Sequence, residues 1–376
     1  MSRLLIRKLQ IDDYNSIIFN EKVNYVVGDN GSGKTTLFNL IQYILGLTST
    51  KRLSFLRTSA KPYLVCEFKS KKVRISRNLD SNIINFEGDI TTKVKANSLE
   101  LNKLYSELLE ISFINSYEYK PTLDILNFSF YSDLDFKKNN DRARIYNKIL
   151  GYNSDYLDSI EKDITKFETQ IYTDKQSLEL VEQYKMAVNK SLENLDTDNS
   201  IFSNILNSEF EKMKFQELTN YELLNHAQHA YKEELKMSRI YIEEKLSMIE
   251  PFYNEIMKDI NLRLGKVSNI DLKSIFDKKD YRSISFGEKS LMLFCLQLTF
   301  CTDYKDLTNG LGLLVTDDML TVNDNYFENR AYEKLVEISQ KGELQYIGFT
   351  SKSSNIAKEH IVFDISPWQG VKLFER

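Results

Sequence analysis

Gly28-Asp29-Asn30-Gly31-Ser32-Gly33-Lys34-Thr35 sets glycines, a lysine and a hydroxyl in the order G-x-x-x-x-G-K-[ST]. Glycines at these positions let backbone N–H groups converge on an anion, and a helix starting at Lys34 turns the positive end of its dipole toward the same point. In a loop of this kind Lys34 reaches the β- and γ-phosphates of a nucleotide, and the Thr35 hydroxyl holds Mg²⁺.

A phosphate loop needs a carboxylate at the end of another strand to complete the metal shell. Leu313-Leu314-Val315-Thr316-Asp317-Asp318 supplies one. Asp317 is expected to orient Mg²⁺ through water and Asp318 to polarise the attacking water. On its own, an Asp pair after a strand serves equally as a turn or a helix cap. A third stretch, Ser283-Ile284-Ser285-Phe286-Gly287-Glu288-Lys289-Ser290, opens the apolar run LMLFCLQLTF. Alone it reads as a helix start; its place between the phosphate loop and the acidic strand end gives it further meaning.

These residues require a strand before the loop and a helix after it. The strand VNYVV precedes Gly28, and from Lys34 to Leu45 the apolar residues Leu37, Phe38, Leu40, Ile41, Ile44 and Leu45 recur at helical spacing, with Gly46 where a C-terminal cap belongs. Leu4 to Ile11 and Ser16 to Phe19 read as further strands. YLVCEF, KVRIS and NIINFEG, within residues 62–96, read as an antiparallel sheet, followed by a helix from Ser98 to Ile111. A first lobe thus spans residues 1–150.

Residues 151–265 change character. With Leu157 as heptad position a, the a positions are Leu157, Ile164, Ile171, Leu178, Lys185 and Leu192, and the d positions are Ile160, Phe167, Asp174, Val181, Val188 and Leu195; ten of the twelve are apolar. A helix of this length spans about 60 Å and needs a partner helix. A polar break is expected at Asp196 to Ser200, then a short helical tip. A returning segment runs from Tyr221 to Leu264, with Ile242, Leu246, Ile249, Tyr253, Ile256 and Ile260 on its apolar seam and Pro251 expected to kink or interrupt it. Either an antiparallel hairpin or a helical subdomain packed on a globular core satisfies the heptads.

Residues 266–376 return to α/β patterning. Helices are expected at Gly287 to Cys301 and Asn323 to Gln340, and strands at Leu311 to Thr316, Leu344 to Phe349, Ile361 to Ile365 and Val371 to Phe374. Strands alternating with helices imply a largely parallel sheet.

In this order the motifs resemble the ABC-type ATPases of chromosome maintenance and repair, the superfamily of SMC proteins, RecF and RecN, with this chain similar to a short-armed member. GDNGSGKTT resembles the family's G-x-N-G-S-G-K-[ST] loop, which assigns Asn30, Gly31, Ser32, Gly33, Lys34, Thr35 and Thr36 to ATP. Ile284-Ser285-Phe286-Gly287-Glu288 resembles the signature L-S-G-G-[QE], with Phe286 replacing the first glycine.

The resemblance implies an α/β fold, a two-lobed ATPase head of mixed sheet and helices with an inserted antiparallel coiled-coil arm. It also implies ATP and Mg²⁺ as cofactors and a homodimer that closes on two ATP molecules. Each γ-phosphate would meet Lys34 of one head and Ser285, the Gly287 N–H and Glu288 of the other. Asp318 stands where the family usually has glutamate, which implies slow turnover. The family's switch histidine is missing, so a hydroxyl such as Ser351 would sense the γ-phosphate. No glutamine in Leu126 to Phe136 matches the family's Q-loop; Asp133 or Asp135 would substitute, or the segment's aromatics are ordinary core.

Composition bounds the rest. Thirteen glycines and four prolines in 376 residues, under 5%, exclude collagen-like and linker-rich chains. Cys66, Cys295 and Cys301 are too scattered for a zinc site or a disulfide framework, and no apolar run reaches the length of a membrane span, so a cytoplasmic protein without membrane attachment is expected. The net charge of −4 points to no polyanion by itself. Lys69, Lys71, Lys72, Arg74 and Arg77 form a local basic cluster, either a DNA contact or a solvated sheet edge, and Lys51, Arg52, Arg57 and Lys61 form a second. The resemblance implies sequence-independent DNA binding and a separate nuclease or effector subunit, in repair or phage defence. A nucleotide-gated scaffold for an effector, with no DNA bound, is the alternative.

Overall fold

A computed structural model describes residues 3–11, 15–48, 61–69, 71–79, 81–111, 121–132, 142–152, 154–193, 200–260, 286–302, 307–317, 325–351 and 356–365. These divide into two compact units: Met1–Ser154 together with Ile242–Arg376, and Asp155–Tyr241.

The first unit holds two sheets. β1 (Leu4–Gln10), β2 (Ser16–Ile18), β4 (Tyr63–Phe68), β5 (Lys71–Ser76), β6 (Ile83–Gly88) and β7 (Thr92–Lys95) form an antiparallel sheet in the order β2-β1-β4-β5-β6-β7. Its strands alternate, as a sheet with one covered face must. Leu4, Ile6, Leu9, Leu64, Cys66, Phe68, Val73, Ile75, Ile84 and Phe86 are all buried, and their neighbours in sequence face outward. The strand carrying the basic cluster, β5, is an interior strand between β4 and β6 and not the solvated edge that its lysines suggested.

The second sheet is parallel throughout, in the order β11-β3-β10-β9-β8, with β3 (Val23–Val27), β8 (Phe130–Ser132), β9 (Leu313–Asp317), β10 (Gln345–Thr350) and β11 (Ile361–Asp364). β3, β9 and β10 are near-continuous apolar runs, which suits strands covered on both faces. The two ends of the chain interleave here, since β3 and β8 come from the first 132 residues and β9 to β11 from the last stretch.

Helix α1 (Lys34–Ile44) packs Leu37, Phe38, Leu40 and Ile41 into the core, with Phe38 edge-on to Phe130 and Phe349. Gln345 joins the sheets: its Oε1 accepts from the Ile6 N–H at 2.8 Å, and its Nε2 donates to the Ile6 carbonyl at 2.9 Å. Around these elements lie α2 (Leu99–Leu109), capped by the Ser98 hydroxyl accepting from Leu101 N–H, then α3 (Pro121–Phe128) and α4 (Arg142–Ile149). Later in the chain come α7 (Phe286–Cys301) and α8 (Asn325–Gln340). The expected strand at Val371 to Phe374 lies outside the described residues.

Two long helices provide the second unit, α5 (Ser154–Glu193) and α6 (Ser200–Ile260). Cross-helix partners run in opposite directions: Glu161 with Arg239, Glu168 with Lys232, Glu182 with Lys214 and Lys185 with Glu211. The pair is therefore antiparallel. Phe167 stacks on Tyr231, centroids 5.5 Å apart, on the expected seam. Asp174 at a d position is buried and accepts from Gln170 Nε2 at 2.7 Å, which satisfies its carboxylate locally.

One expectation fails in α6: no separate tip helix precedes Tyr221, because one helix of 61 residues runs from Ser200. Of the two outcomes expected at Pro251, interruption does not occur, since the helix runs through it. A proline costs a helix about 3 kcal/mol. Ile249, Tyr253, Ile256 and Ile260, all almost fully buried within the first unit, offset that cost, since each buried side chain contributes about 1.5–3 kcal/mol. Among the described residues no helix is long and apolar enough to cross a membrane.

Candidate functional site

The phosphate loop leaves β3 at Gly28 and enters α1 at Lys34. Gly33 caps α1 with φ 103°, a left-handed conformation that L side chains rarely adopt. Gly28 is required for a different reason: a Cβ there would meet Ile365 Cγ2 at 2.0 Å and Ser32 Oγ at 2.7 Å. Because β11 runs beside β3, with Ile365 N–H donating to the Val27 carbonyl at 2.8 Å, Ile365 presses on the loop from its neighbour strand.

Lys34 is buried, and its Nζ donates to the carbonyls of Gly28 at 2.8 Å and Asp29 at 3.0 Å, which holds the ammonium inside the loop. Ser32 Oγ is buried and has no hydrogen-bond partner among the described residues. The first turn of α1 contains no acidic residue, so its dipole is not offset there. Thr35 and Asn30 are exposed, Gly31 is exposed with φ 80°, and Thr36 is half-buried. A glycine cradle, an unpartnered buried hydroxyl and an uncompensated helix N-terminus are the donor set that a phosphate requires.

The sheet register brings the second motif alongside. Val27 is in register with Thr350, and Phe349 with Asp317, which in turn is opposite Ser132. All four strands are parallel, so the loop, Ser351, Asp317 and the end of β8 gather at one carboxyl edge, where open α/β sheets bind ligands. Gly28 N–H donates to the Thr350 carbonyl at 3.2 Å, tying the loop to the strand that delivers Ser351, itself half-buried. Thr316, one residue before Asp317, hydrogen-bonds the Tyr346 hydroxyl at 2.7 Å, which braces β9 against β10.

Sequence reasoning missed β8. Phe130 and Tyr131 are buried core, as one of its two readings held, yet Ser132 ends beside Asp317. The only signal was the position of a short aromatic run before Asp133. Asp133 and Asp135, with Asp318 and Ser285, lie outside the described residues. So do Lys51, Arg52 and Arg57 of the second basic cluster, while Lys61 is exposed. Gly287 and Glu288 occupy the first turn of α7, where backbone N–H groups have no intrahelical partner.

The basic cluster around β5 separates by role. Arg77 is buried over the Tyr43 ring, 3.8 Å from its centroid, and donates to the Tyr43 carbonyl at 2.9 Å; burial lowers its pKa. Lys69 pairs with Glu110. Lys71, Lys72 and Arg74 remain outward and exposed. The three cysteines are buried, and burial raises each thiol pKa, that of Cys301 to about 12, so none is a ready nucleophile.

A family model described as an AAA domain matches residues 6–198, just over half of the 376 residues, including the whole phosphate loop. The chain belongs to this AAA-domain family. Membership implies nucleotide binding. The fold is that of an SMC head. The Smc head domain with an extended coiled coil from Pyrococcus furiosus, solved bound to the C-terminal domain of ScpA, aligns at 15% identity with a TM-score of 0.53, covering 93% of this chain and 90% of that one. An SmcHead bound to the C-winged helix domain of ScpA aligns at 12% identity and a TM-score of 0.48, over 93% of this chain and 90% of that one. Comparison with curated proteins finds no match.

Proposed function

We propose that this AAA-family protein is an ATPase that binds ATP with Mg²⁺, closes as a homodimer across two nucleotides, and couples closure to DNA and to a separate nuclease or effector subunit in repair or phage defence. The observation that carries this reading is the shared carboxyl edge of β3, β10 and β9, where the phosphate loop, Ser351 and Asp317 meet in register.

Lys34 and the backbone N–H groups from Gly31 to Thr35 would hold the phosphates, with Asn30 and Thr36 completing the loop. Thr35 and Asp317 would hold the metal. Mg²⁺, when bound, neutralises phosphate charge and fixes phosphate orientation. Asp318 would take the role of orienting and deprotonating water, and Ser351 that of sensing the terminal phosphate. Ser285, the Gly287 N–H and Glu288 of a second copy would complete the site. The first turn of α7 supports that role, because the backbone N–H groups of a first helical turn have no intrahelical partner and closure would present them with an anion. Closure is in this reading a state selected by ATP and released by hydrolysis.

Sedimentation of the full chain with a non-hydrolysable triphosphate and Mg²⁺ tests the reading. A monomer-to-dimer shift that Lys34→Ala abolishes is expected. A chain that stays monomeric with nucleotide bound and no partner added overturns the dimer mechanism.

A further inference from the structure

β3, β10 and β9 lie side by side in the middle of the parallel sheet and are buried almost end to end. Within them Tyr346 and Thr316 are almost fully buried, and their hydroxyls hydrogen-bond each other at 2.7 Å. A glycine makes that contact possible. Tyr25, Gly348 and Thr316 stand in register on the three strands, and Tyr346 precedes Gly348 by two residues, so all four share one face. A Cβ on Gly348 would meet Tyr25 Cε1, Tyr346 Cε1 and Tyr346 Oη, each at 2.8 Å. The Tyr346 ring therefore lies across the glycine and carries its hydroxyl from β10 to β9. Tyr25 backs that ring edge-on, centroids 5.4 Å apart, and Tyr332 of α8 backs Tyr25 at 6.1 Å. The Tyr332 hydroxyl is itself fixed, 2.6 Å from His360 Nδ1 and accepting from the Ala357 N–H at 3.2 Å.

Packing alone asks only for a phenylalanine at 346 and a valine at 316, because a buried pair of hydroxyls adds little net stability over apolar groups of the same shape. What the pair adds is direction. Asp317 follows Thr316 as the last residue of β9 and alternates to the opposite face, the one on which Phe349 meets Phe38 of α1. A turn of β9 about its own axis that took Thr316 off Tyr346 would swing the Asp317 carboxylate with it. Holding the one side chain therefore holds the other.

We propose that Tyr346 is a positioning residue for Asp317: by clasping Thr316 it fixes the twist at the end of β9, and so the direction in which the Asp317 carboxylate meets a Mg²⁺-bound nucleoside triphosphate. The inference rests on the reading above in which Asp317 and the Thr35 hydroxyl hold the metal. Both are hard oxygen donors, one at the end of β9 and one in the first turn of α1, as Mg²⁺ requires.

The test titrates Mg²⁺ into the full chain with a fluorescent ATP analogue, measures affinity for the analogue in chelator, and follows thermal unfolding of the nucleotide-free protein. The variants are Tyr346→Phe, Thr316→Val, the two combined, and Asp317→Asn. Each of the first two leaves one buried hydroxyl without this partner and should lower the melting temperature; the combined change removes both hydroxyls and should recover most of the loss. The Mg²⁺ midpoint is expected to rise about 10-fold in both single variants, the low end for a residue that supports a metal ligand, and to stay raised in the combined variant, with affinity in chelator unchanged. A midpoint that returns together with stability in the combined variant overturns the inference, because the pair is then structural only. A loss of affinity in chelator as large as the midpoint shift also overturns it, since the phosphate loop and not the carboxylate has then moved. An unaltered midpoint in Asp317→Asn overturns the metal reading itself. A shift in Asp317→Asn with none in Tyr346→Phe spares that reading and overturns Tyr346 as its support.

Discussion

The Gly28 N–H donates to the Thr350 carbonyl, so the first residue of the phosphate loop is fastened to the last residue of β10. One residue back along β10, Phe349 is in register with Asp317 at the acidic strand end.

Lys34→Ala removes the ammonium that the loop carbonyls orient. Titration with a fluorescent ATP analogue should show at least a 10-fold loss of affinity, about 1.4 kcal/mol, with the melting temperature of the nucleotide-free protein little changed.

Asp317→Asn and Asp318→Asn should separate. The first is expected to weaken the Mg²⁺ dependence of nucleotide binding. The second should slow hydrolysis about 100-fold, within the usual range for general-base loss, while the closed dimer accumulates on size-exclusion chromatography with ATP.

Gly28→Ala drives a methyl group into Ile365 and Ser32. Overpacking of this kind costs about 1–3 kcal/mol, measurable by denaturant unfolding, and nucleotide binding should fall with it. Adding Ile365→Ala should recover part of the stability, because the 2.0 Å contact is with that side chain.

Lys334 on α8 is 3% exposed and holds Asp259 at 2.7 Å, Glu255 at 3.0 Å and Glu337 at 3.0 Å, which fastens the last turns of α6. Burial works against its charge, but the carboxylates outweigh it, and its pKa rises. Lys334→Met should cost about 2 kcal/mol by loss of these charged hydrogen bonds. Lys341 and then Lys334 hold the Glu337 carboxyl below its usual range. A lowered folded-state value stabilises above the unfolded pKa near 4.5 and is lost as pH falls through the lower one. Acid unfolding followed by circular dichroism should show that dependence blunted in Lys334→Met.

What could be read from residues alone was what depends on near neighbours. The loop from Gly28 to Thr35 carries its chemistry in eight consecutive positions, and the seam of α5 repeats every seven residues. What escaped depends on distant partners. Pro251 sits inside a helix because tertiary burial outweighs its local penalty, β5 is interior because pairing with β4 and β6 outranks its lysines, and β8 is too short to announce that it ends beside Asp317. Lys334 resembles any surface lysine until α6 is folded over it.

The interleaved parallel sheet also bears on synthesis. β3 finds its neighbours only when Thr350 and Ile361 have emerged, roughly 320 residues after Val27, and at 5–20 residues per second that is about 16 to 64 s of translation. Throughout that interval both hydrogen-bonding edges of an apolar strand wait on the ribosome without their mates. A chaperone that shields short apolar segments should raise the yield of this protein, and chains released early should be the ones that aggregate.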